Sequence, residues 1–223
     1  MTPWRIAPAS RAVRCNTHRQ VKGRCYCTLP ILLYDSRMTA LPKRKMTVAE
    51  FLPWAMAQEQ GRYELVRGDI VAMAPERARH NIVKMNVARA LQDGVRRAGL
   101  RCIVFTDGIT VVIDKDTSYE PDAAVQCGTS VDLDSMIADK PMIVAEVTSP
   151  SSEKTDAAGK LADYLTVASI AHVLIVDPVR KLVIHHARGD GAAISTRVLR
   201  GCEELRLEPP SFSIFTAELF EGV

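Results

Sequence analysis

The stretch that decides the fold reads Met142-Ile143-Val144-Ala145-Glu146-Val147-Thr148. An apolar run of this length is typical of a buried strand, and a carboxylate at the end of such a strand is unusual. Because an unpaired charge is costly to bury, Glu146 must be paired, protonated or bound to a cation. A second acid of this kind follows a proline in Glu120-Pro121-Asp122, on another predicted strand. Two acids on neighbouring strand ends would offer oxygen ligands to a hard divalent ion.

The residues after Glu146 predict a turn and then a helix. The turn reads Thr148-Ser149-Pro150-Ser151-Ser152, and a helical pattern follows over residues 155–169. Asp156, Lys160 and Tyr164 are spaced i, i+4 and i+8 in that pattern. We therefore expect these three side chains to lie along one face of the helix.

Elsewhere the periodicity of apolar residues predicts a mixture of helices and strands. Helices are predicted over residues 47–59, 78–98 and 155–169, and strands over 63–66, 70–73, 101–106, 109–113, 120–127, 141–148, 172–176, 181–186 and 193–199. In the helix over 78–98, we expect Ile82 and Met85 on the inward face with Val87 and Leu91. This order of elements predicts an α/β fold of the mixed, α+β kind and not a repeating βαβ series.

Composition limits the class of protein. The chain has 223 residues, 47% of them hydrophobic, which suits one domain with an appendage or two small domains. No apolar run reaches the length of about eighteen residues that a membrane span requires. With no clear signal peptide, Cys102, Cys127 and Cys202, which are irregularly spaced, are expected to be free thiols in a reducing compartment. We therefore predict a cytoplasmic location.

Charge divides the chain into two parts. Residues 1–45 hold ten Lys or Arg and one acid, whereas the remainder holds 19 basic and 25 acidic residues. We interpret 1–45 as a basic, disordered N-terminal extension and 46–223 as the folded domain. Because the domain is acidic overall, any binding of nucleic acid must come from a local basic patch.

Other interpretations of the N-terminal segment over residues 1–37 stay open. It can be upstream sequence translated from the wrong start, since Met38 and Met46 are plausible starts, or a targeting peptide. A metal knuckle is a further alternative, formed by Cys15, His18, Cys25 and Cys27, but its C-x2-H-x6-C-x-C spacing matches no common zinc module.

A set of short motifs, in this order and spacing, resembles the Uma-two family of restriction-endonuclease-like proteins within the PD-(D/E)xK nuclease superfamily. The motifs are Tyr63-Glu64-Leu65-Val66-Arg67-Gly68, His80, Pro121-Asp122, Glu146-Val147-Thr148-Ser149-Pro150-Ser151, Asp156, Lys160-Leu161, Tyr164 and Val176-Asp177-Pro178. The resemblance covers about residues 46–221. It implies a restriction-endonuclease-like core, in which helices flank a mixed central sheet, and a divalent-metal phosphodiesterase site.

The resemblance also implies roles for individual residues. Asp122 matches the aspartate of the PD half, and Glu146 matches the acid of the (D/E)xK half. The lysine expected two residues after Glu146 is absent, and Thr148 stands in its place. In this family the role of that lysine is thought to have moved to the following helix, where Lys160 matches.

Glu64 matches the acid that this superfamily often supplies from its first helix or hairpin, and His80 matches a motif position to which we assign no role. By this resemblance Asp122, Glu146 and Glu64 are the predicted ligands of Mg2+ or Mn2+, and Lys160 is the predicted supporting cation. Phosphodiester hydrolysis needs a metal that neutralises the phosphoryl oxygens and activates a water. A nearby lysine can stabilise the charge that develops.

The leading functional hypothesis is therefore a metal-dependent endonuclease that cleaves DNA. We expect it to be a homodimer, because such nucleases cut two strands. The acidic domain and the missing lysine at position 148 motivate an alternative, a catalytically inactive nuclease fold that acts as a binding or assembly module. A third hypothesis is a metal phosphoesterase that acts on a small molecule.

Overall fold

The structure is a computed structural model, and it describes residues 41–128, 130–148, 156–191 and 193–223. The helices are α1 (Val48–Met56), α2 (Ala78–Arg97), α3 (Asp156–Tyr164) and α4 (Thr216–Leu219). The strands are β1 (Tyr63–Val66), β2 (Asp69–Ala72), β3 (Cys102–Thr106), β4 (Val111–Val112), β5 (Ser118–Tyr119), β6 (Ala123–Cys127), β7 (Pro141–Val147), β8 (His172–Asp177), β9 (Leu182–Arg188), β10 (Ile194–Arg200), β11 (Glu204–Leu207) and β12 (Phe212–Phe215). None of the helices in the described ranges is both long and apolar enough to cross a membrane.

Most of the predicted N-terminal extension lies outside the described residues. This includes the group of Cys15, His18, Cys25 and Cys27 that was considered as a metal knuckle. The predicted boundary at residue 45 therefore stays a prediction.

A six-stranded mixed sheet forms the centre of the domain. Its strand order is β10-β9-β8-β7-β6-β3. Strands β7 and β8 pair in parallel, and the other neighbours in this sheet pair antiparallel. Helices pack against it, so the predicted fold class is confirmed.

The two faces of this sheet carry different helices. Strand β7 alternates between them: Ile143, Ala145 and Val147 join the core cluster that contains the inward residues of α2. Val144 joins the second cluster, together with Tyr164 of α3. Because strand side chains alternate between faces, Glu146 projects to the α3 side, two residues beyond Val144.

Two smaller sheets complete the domain. The order β2-β1-β5-β4 forms a four-stranded antiparallel sheet, and Leu65 and Ile70 of this sheet pack with Phe51 of α1 in a third core cluster. The hairpin β11-β12 packs on the α2 side of the central sheet, where Leu205 and Ile214 are fully buried. Strand β1 pairs with β5, which directly precedes the Glu120-Pro121-Asp122 stretch.

The predicted inward face of α2 is partly wrong. Ile82 and Met85 were expected in the core, but they are 41% and 65% exposed. The buried line instead runs through Val83, Val87 and Leu91, each with no exposed surface. These residues are spaced i, i+4 and i+8, so they lie on one face of the helix. In its first turns the buried face is therefore the one that carries Val83, and Ile82 and Met85 lie outside it.

The prediction of free thiols is wrong for two of these three cysteines, Cys102 and Cys127. Cys102 and Cys127 form a disulfide, because the antiparallel register of β3 and β6 sets them directly opposite each other. Cys202 is free and exposed. Since disulfides are uncommon in reducing compartments, the cysteines give no support to the cytoplasmic location, which stays a prediction.

Candidate active site

Glu64 and Lys160 meet although they are 96 positions apart in the chain. Glu64 lies on β1 with 5% of its surface exposed, and the Lys160 ammonium donates to Glu64 Oε1 at 2.8 Å. The same oxygen accepts the backbone N–H of Glu120 at 3.0 Å. Glu64 therefore joins β1 both to α3 and to the stretch that carries Asp122.

Glu146 lies at the end of β7, under α3. The Tyr164 hydroxyl donates to Glu146 Oε1 at 2.7 Å, and Lys160 Nζ lies 3.7 Å from the same oxygen. These contacts leave Oε2 without a hydrogen bond from the part of the chain that the structure describes. Lys160 and Tyr164 thus share one face of α3, as their spacing predicts, while the side chain of Asp156 lies outside the description.

Asp122 lies next to Glu146 across the strand pair. In the register of β6 and β7, Ala123 opposes Ala145, so the preceding and following residues come side by side. Asp122 is 7% exposed, and its Oδ2 accepts the backbone N–H of Val147 at 2.7 Å. The four predicted site residues, which come from β1, β7, α3 and the start of β6, therefore lie close together in the structure.

Burial changes the acidity of this group. It raises the pKa of Glu146 from its ordinary value of 4.5 to about 7; the Lys160 ammonium opposes this rise, and the negative charges of Asp122 and Glu64 add to it. Burial also raises the pKa of Asp122, against the opposing effects of the Val147 N–H, His80 and Lys84. The positive charge near Glu146 and Asp122 therefore does not fully offset the cost of burying their ionised forms, and a bound cation would add the missing charge.

A buried lysine that the sequence analysis did not identify lies next to Asp122. Lys84 of α2 is 6% exposed, and its ammonium lies 3.3 Å from Asp122 Oδ1 and 2.9 Å from Asp107 Oδ2. It also donates to Glu76 Oε1. Burial acts to lower the pKa of Lys84, but the hydrogen bonds to Glu76 and Asp107 outweigh it and raise the pKa above its ordinary value. The sequence feature that could have identified Lys84 is its position next to Val83, on the inward side of an amphipathic helix, where a lysine is unusual.

His80 lies one turn before Lys84 and joins the same group. Its Nε2 lies 2.7 Å from the carbonyl oxygen of Val147, and since that oxygen can only accept, Nε2 carries the hydrogen. Its Nδ1 is buried, has no hydrogen-bond partner among the described residues, and lies 3.5 Å from Glu76 Oε2. Glu76, His80 and Asp122 each offer a ligand atom within 4.8 Å of the others, so they form a group that could hold a metal ion.

Comparison with known proteins identifies the family of this chain. The profile of the Uma2 family, described as "Putative restriction endonuclease", matches residues 48–214. The chain belongs to the Uma2 family. This membership confirms the resemblance found in the sequence motifs, and the matched range contains all four predicted site residues.

Two relatives and one solved structure are also similar to this chain. Two uncharacterized proteins of Synechocystis sp. are similar: one is 24% identical over 152 residues, covering 67% of this chain and 78% of the relative, and the other is 26% identical over 168 residues, covering 73% and 92%. The crystal structure of a putative nuclease belonging to DUF820 from Anabaena variabilis has a TM-score of 0.63 at 16% identity, covering 78% of this chain and 97% of that one. The Uma2 chain therefore shares its fold with that protein.

Proposed function

We propose that this Uma2 protein is a metal-dependent endonuclease that hydrolyses DNA phosphodiester bonds. The observation that carries the proposal is the convergence of Glu64, Asp122, Glu146 and Lys160 from separate elements into one buried cluster. A cluster of carboxylates with one lysine supplies the groups that metal-assisted phosphoryl chemistry requires. Asp122 and Glu146 lie side by side at the ends of neighbouring strands of the central sheet, and Glu64 lies on β1 of the four-stranded sheet.

The cluster fits a hard divalent ion. Glu146 and Asp122 have raised pKa values because burial is not fully offset by nearby cations, so a divalent ion would relieve their charge. Oxygen donors of this type favour Mg2+ or Mn2+. Asp122, Glu146 and Glu64 are the residues that would hold the ion. When bound, it would neutralise phosphoryl oxygens and lower the pKa of an attacking water.

Lys160 fills the role of the lysine that is absent at position 148. Its ammonium lies 2.8 Å from Glu64 Oε1 and 3.7 Å from Glu146 Oε1, which holds a positive charge beside both acids. Thr148 has no positive charge to offer, and its hydroxyl donates to the carbonyl oxygen of Val176 at 3.4 Å. The lysine would stabilise negative charge as the phosphodiester is attacked.

Cleavage of supercoiled plasmid and linear duplex DNA, with and without Mg2+ or Mn2+, tests the proposal. Asp122→Asn and Glu146→Gln should lower the rate by about a hundredfold or more while circular dichroism shows an intact fold. Glu204→Gln is the matched control, because Glu204 pairs with Arg206 on the surface and should not affect the rate. Metal-dependent cleavage that both site variants retain at the wild-type rate would show that these acids are not the site.

The same assay separates the alternatives. Hydrolysis of mononucleotide or other small phosphodiesters, with duplex DNA left intact, would indicate a small-molecule phosphoesterase. No hydrolysis and no binding of Mn2+, even with DNA present, would indicate an inactive binding module. The proposal includes a homodimer, since two sites are needed to cut two strands, and sedimentation equilibrium measures this directly.

A further inference from the structure

The Lys84 ammonium occupies a position that resembles that of a coordinated cation. Three carboxylate oxygens converge on it: Oε1 of Glu76, Oδ2 of Asp107 at 2.9 Å and Oδ1 of Asp122 at 3.3 Å. The three acids come from the segment before α2, the turn after β3 and the start of β6, so the chain brings them together from separate places. Oxygens arranged in this way around one point are also what a divalent ion requires.

A histidine nitrogen lies close to two of these acids, Glu76 and Asp122. His80 donates its Nε2 hydrogen to the backbone carbonyl of Val147, which is how metal-binding histidines are commonly held. The opposite nitrogen, Nδ1, is buried, has no hydrogen bond from the described residues, and lies 3.5 Å from Glu76 Oε2. Glu76, His80 and Asp122 each offer a ligand atom within 4.8 Å of the others, so this nitrogen belongs to the same group of ligand atoms.

We propose that Glu76, Asp107 and Asp122 form a second cation site that Lys84 fills permanently, so that the nuclease site takes one divalent ion and not two. Two-metal nucleases place their ions about 3.5 to 4 Å apart. Here Asp122 lies where such a pair would meet: Glu146 adjoins it across the strands on one side, and its Oδ1 faces the Lys84 ammonium on the other.

Lys84 is thus a positioning residue for Asp122. Its ammonium balances one carboxylate oxygen, and the Val147 N–H holds the other. Lys84 and Lys160 reach the acids from α2 and α3, the helices on opposite faces of the central sheet. This inference rests on the proposed function for the role of Asp122 as a metal ligand, but its test counts bound ions and does not require DNA cleavage.

Calorimetric titration with Mn2+ tests the inference. The wild-type chain should bind one ion, and Lys84→Ala should bind one ion more, because Asp122 and Glu76 lose the ammonium that they contact, while Asp107 keeps its contact with the Arg62 guanidinium. Adding His80→Ala to Lys84→Ala should weaken that extra ion by about tenfold or more, since a nitrogen ligand is lost. Two ions bound by the wild-type chain, or no extra ion in Lys84→Ala, would overturn the inference.

Two further variants serve as controls. Lys84→Arg keeps the positive charge, so it should bind no extra ion. Arg89→Ala removes a cation from the same helix, but its pair with Glu221 is on the surface, so it should also gain no ion. An extra ion in either control would show that loss or change of any cation on α2 is enough, which contradicts the inference.

Two measurements keep the test decisive. If Lys84→Ala is unfolded without metal, Mn2+ should restore its circular dichroism signal, because an ion that binds only the native state stabilises it. A variant that stays unfolded with Mn2+ overturns the inference.

The extra ion of Lys84→Ala should also persist when Glu146→Gln is added. If the wild-type chain binds no ion but Lys84→Ala binds one, the proposed function is rejected and this inference is kept.

Discussion

Replacing Glu146 by glutamine should stabilise the metal-free protein, and the gain should grow with pH. Burial raises the pKa of this carboxyl from 4.5 to about 7, so the native state holds the proton more tightly than the unfolded chain does. The stability that this proton contributes is complete below pH 4.5 and is lost as the pH rises to about 7. Glutamine is neutral throughout this range and keeps an oxygen that can accept from the Tyr164 hydroxyl.

The magnitude follows from the difference between the two pKa values. At 1.36 kcal/mol per pH unit, it corresponds to about 3 kcal/mol. Urea denaturation in EDTA, from pH 4.5 to pH 8, measures the free energy of unfolding of both proteins. Groups that titrate equally in both proteins cancel in the difference, which should be small at pH 4.5 and reach about 3 kcal/mol in favour of the variant at pH 8.

Two additions make this experiment specific. Glu221→Gln, at a surface position, controls for the general effect of removing a carboxylate. Saturating Mn2+ at pH 8 should stabilise the wild-type chain by mass action and the Glu146→Gln variant much less. A difference between Glu146→Gln and wild type that does not change with pH, or a variant less stable than wild type at pH 8, would refute the reasoning.

Packing and histidine titration give further predictions. Gly94→Ala should lower the free energy of unfolding by about 1 to 2 kcal/mol in urea denaturation, because the added Cβ lies 2.6 Å from Cδ2 of Phe212 and overpacking outweighs the gain in helix propensity. Gly159→Ala, where the added Cβ meets no described atom within 4 Å, should instead raise it by about 0.5 to 1 kcal/mol; the same sign for both would contradict this. Burial, with the charge of His172, lowers the pKa of His185 from 6.5 to about 4, so the stability it contributes is complete above pH 6.5 and is lost as the pH falls to about 4. Between pH 6.5 and pH 4 the free energy of unfolding of His185→Gln should therefore fall by about 2 kcal/mol less than that of wild type, after allowance for solvent screening. Equal falls in both proteins, measured by urea denaturation, would contradict this prediction.

Local patterns predicted the part of the fold around Glu146. The apolar run before it is a strand, and the i, i+4 spacing of Lys160 and Tyr164 brings both to Glu146 Oε1. These predictions succeeded because period and spacing depend on residues that are close in sequence. The association of Glu64 with this group depended on the family resemblance, because its contact with Lys160 spans 96 positions.

The failures come from long-range features. The Cys102–Cys127 disulfide depends on the register between β3 and β6, which no local pattern fixes. The acids around Lys84 come from loops whose approach depends on the whole fold. The hairpin β11-β12 and helix α4 were not predicted, because their segments are too short to show a sustained period.

The packing around Glu146 argues that chemistry, and not the fold, accounts for this acid. Val144 lies two residues earlier on the same face of β7 and is fully buried, so the α3 side accepts apolar side chains at this depth. Buried ion pairs can often be replaced by well-packed apolar residues with no loss of stability. Glu146, by contrast, is expected to weaken the metal-free domain as the pH rises to about 7, because burial raises its pKa. The cluster also includes Lys160 of α3, whereas Thr148, at the position where the family resemblance leads us to expect a lysine, bonds to the carbonyl oxygen of Val176. An acid that the core does not need, beside a lysine from another element, supports the proposed reaction site, because stability alone does not explain this pair.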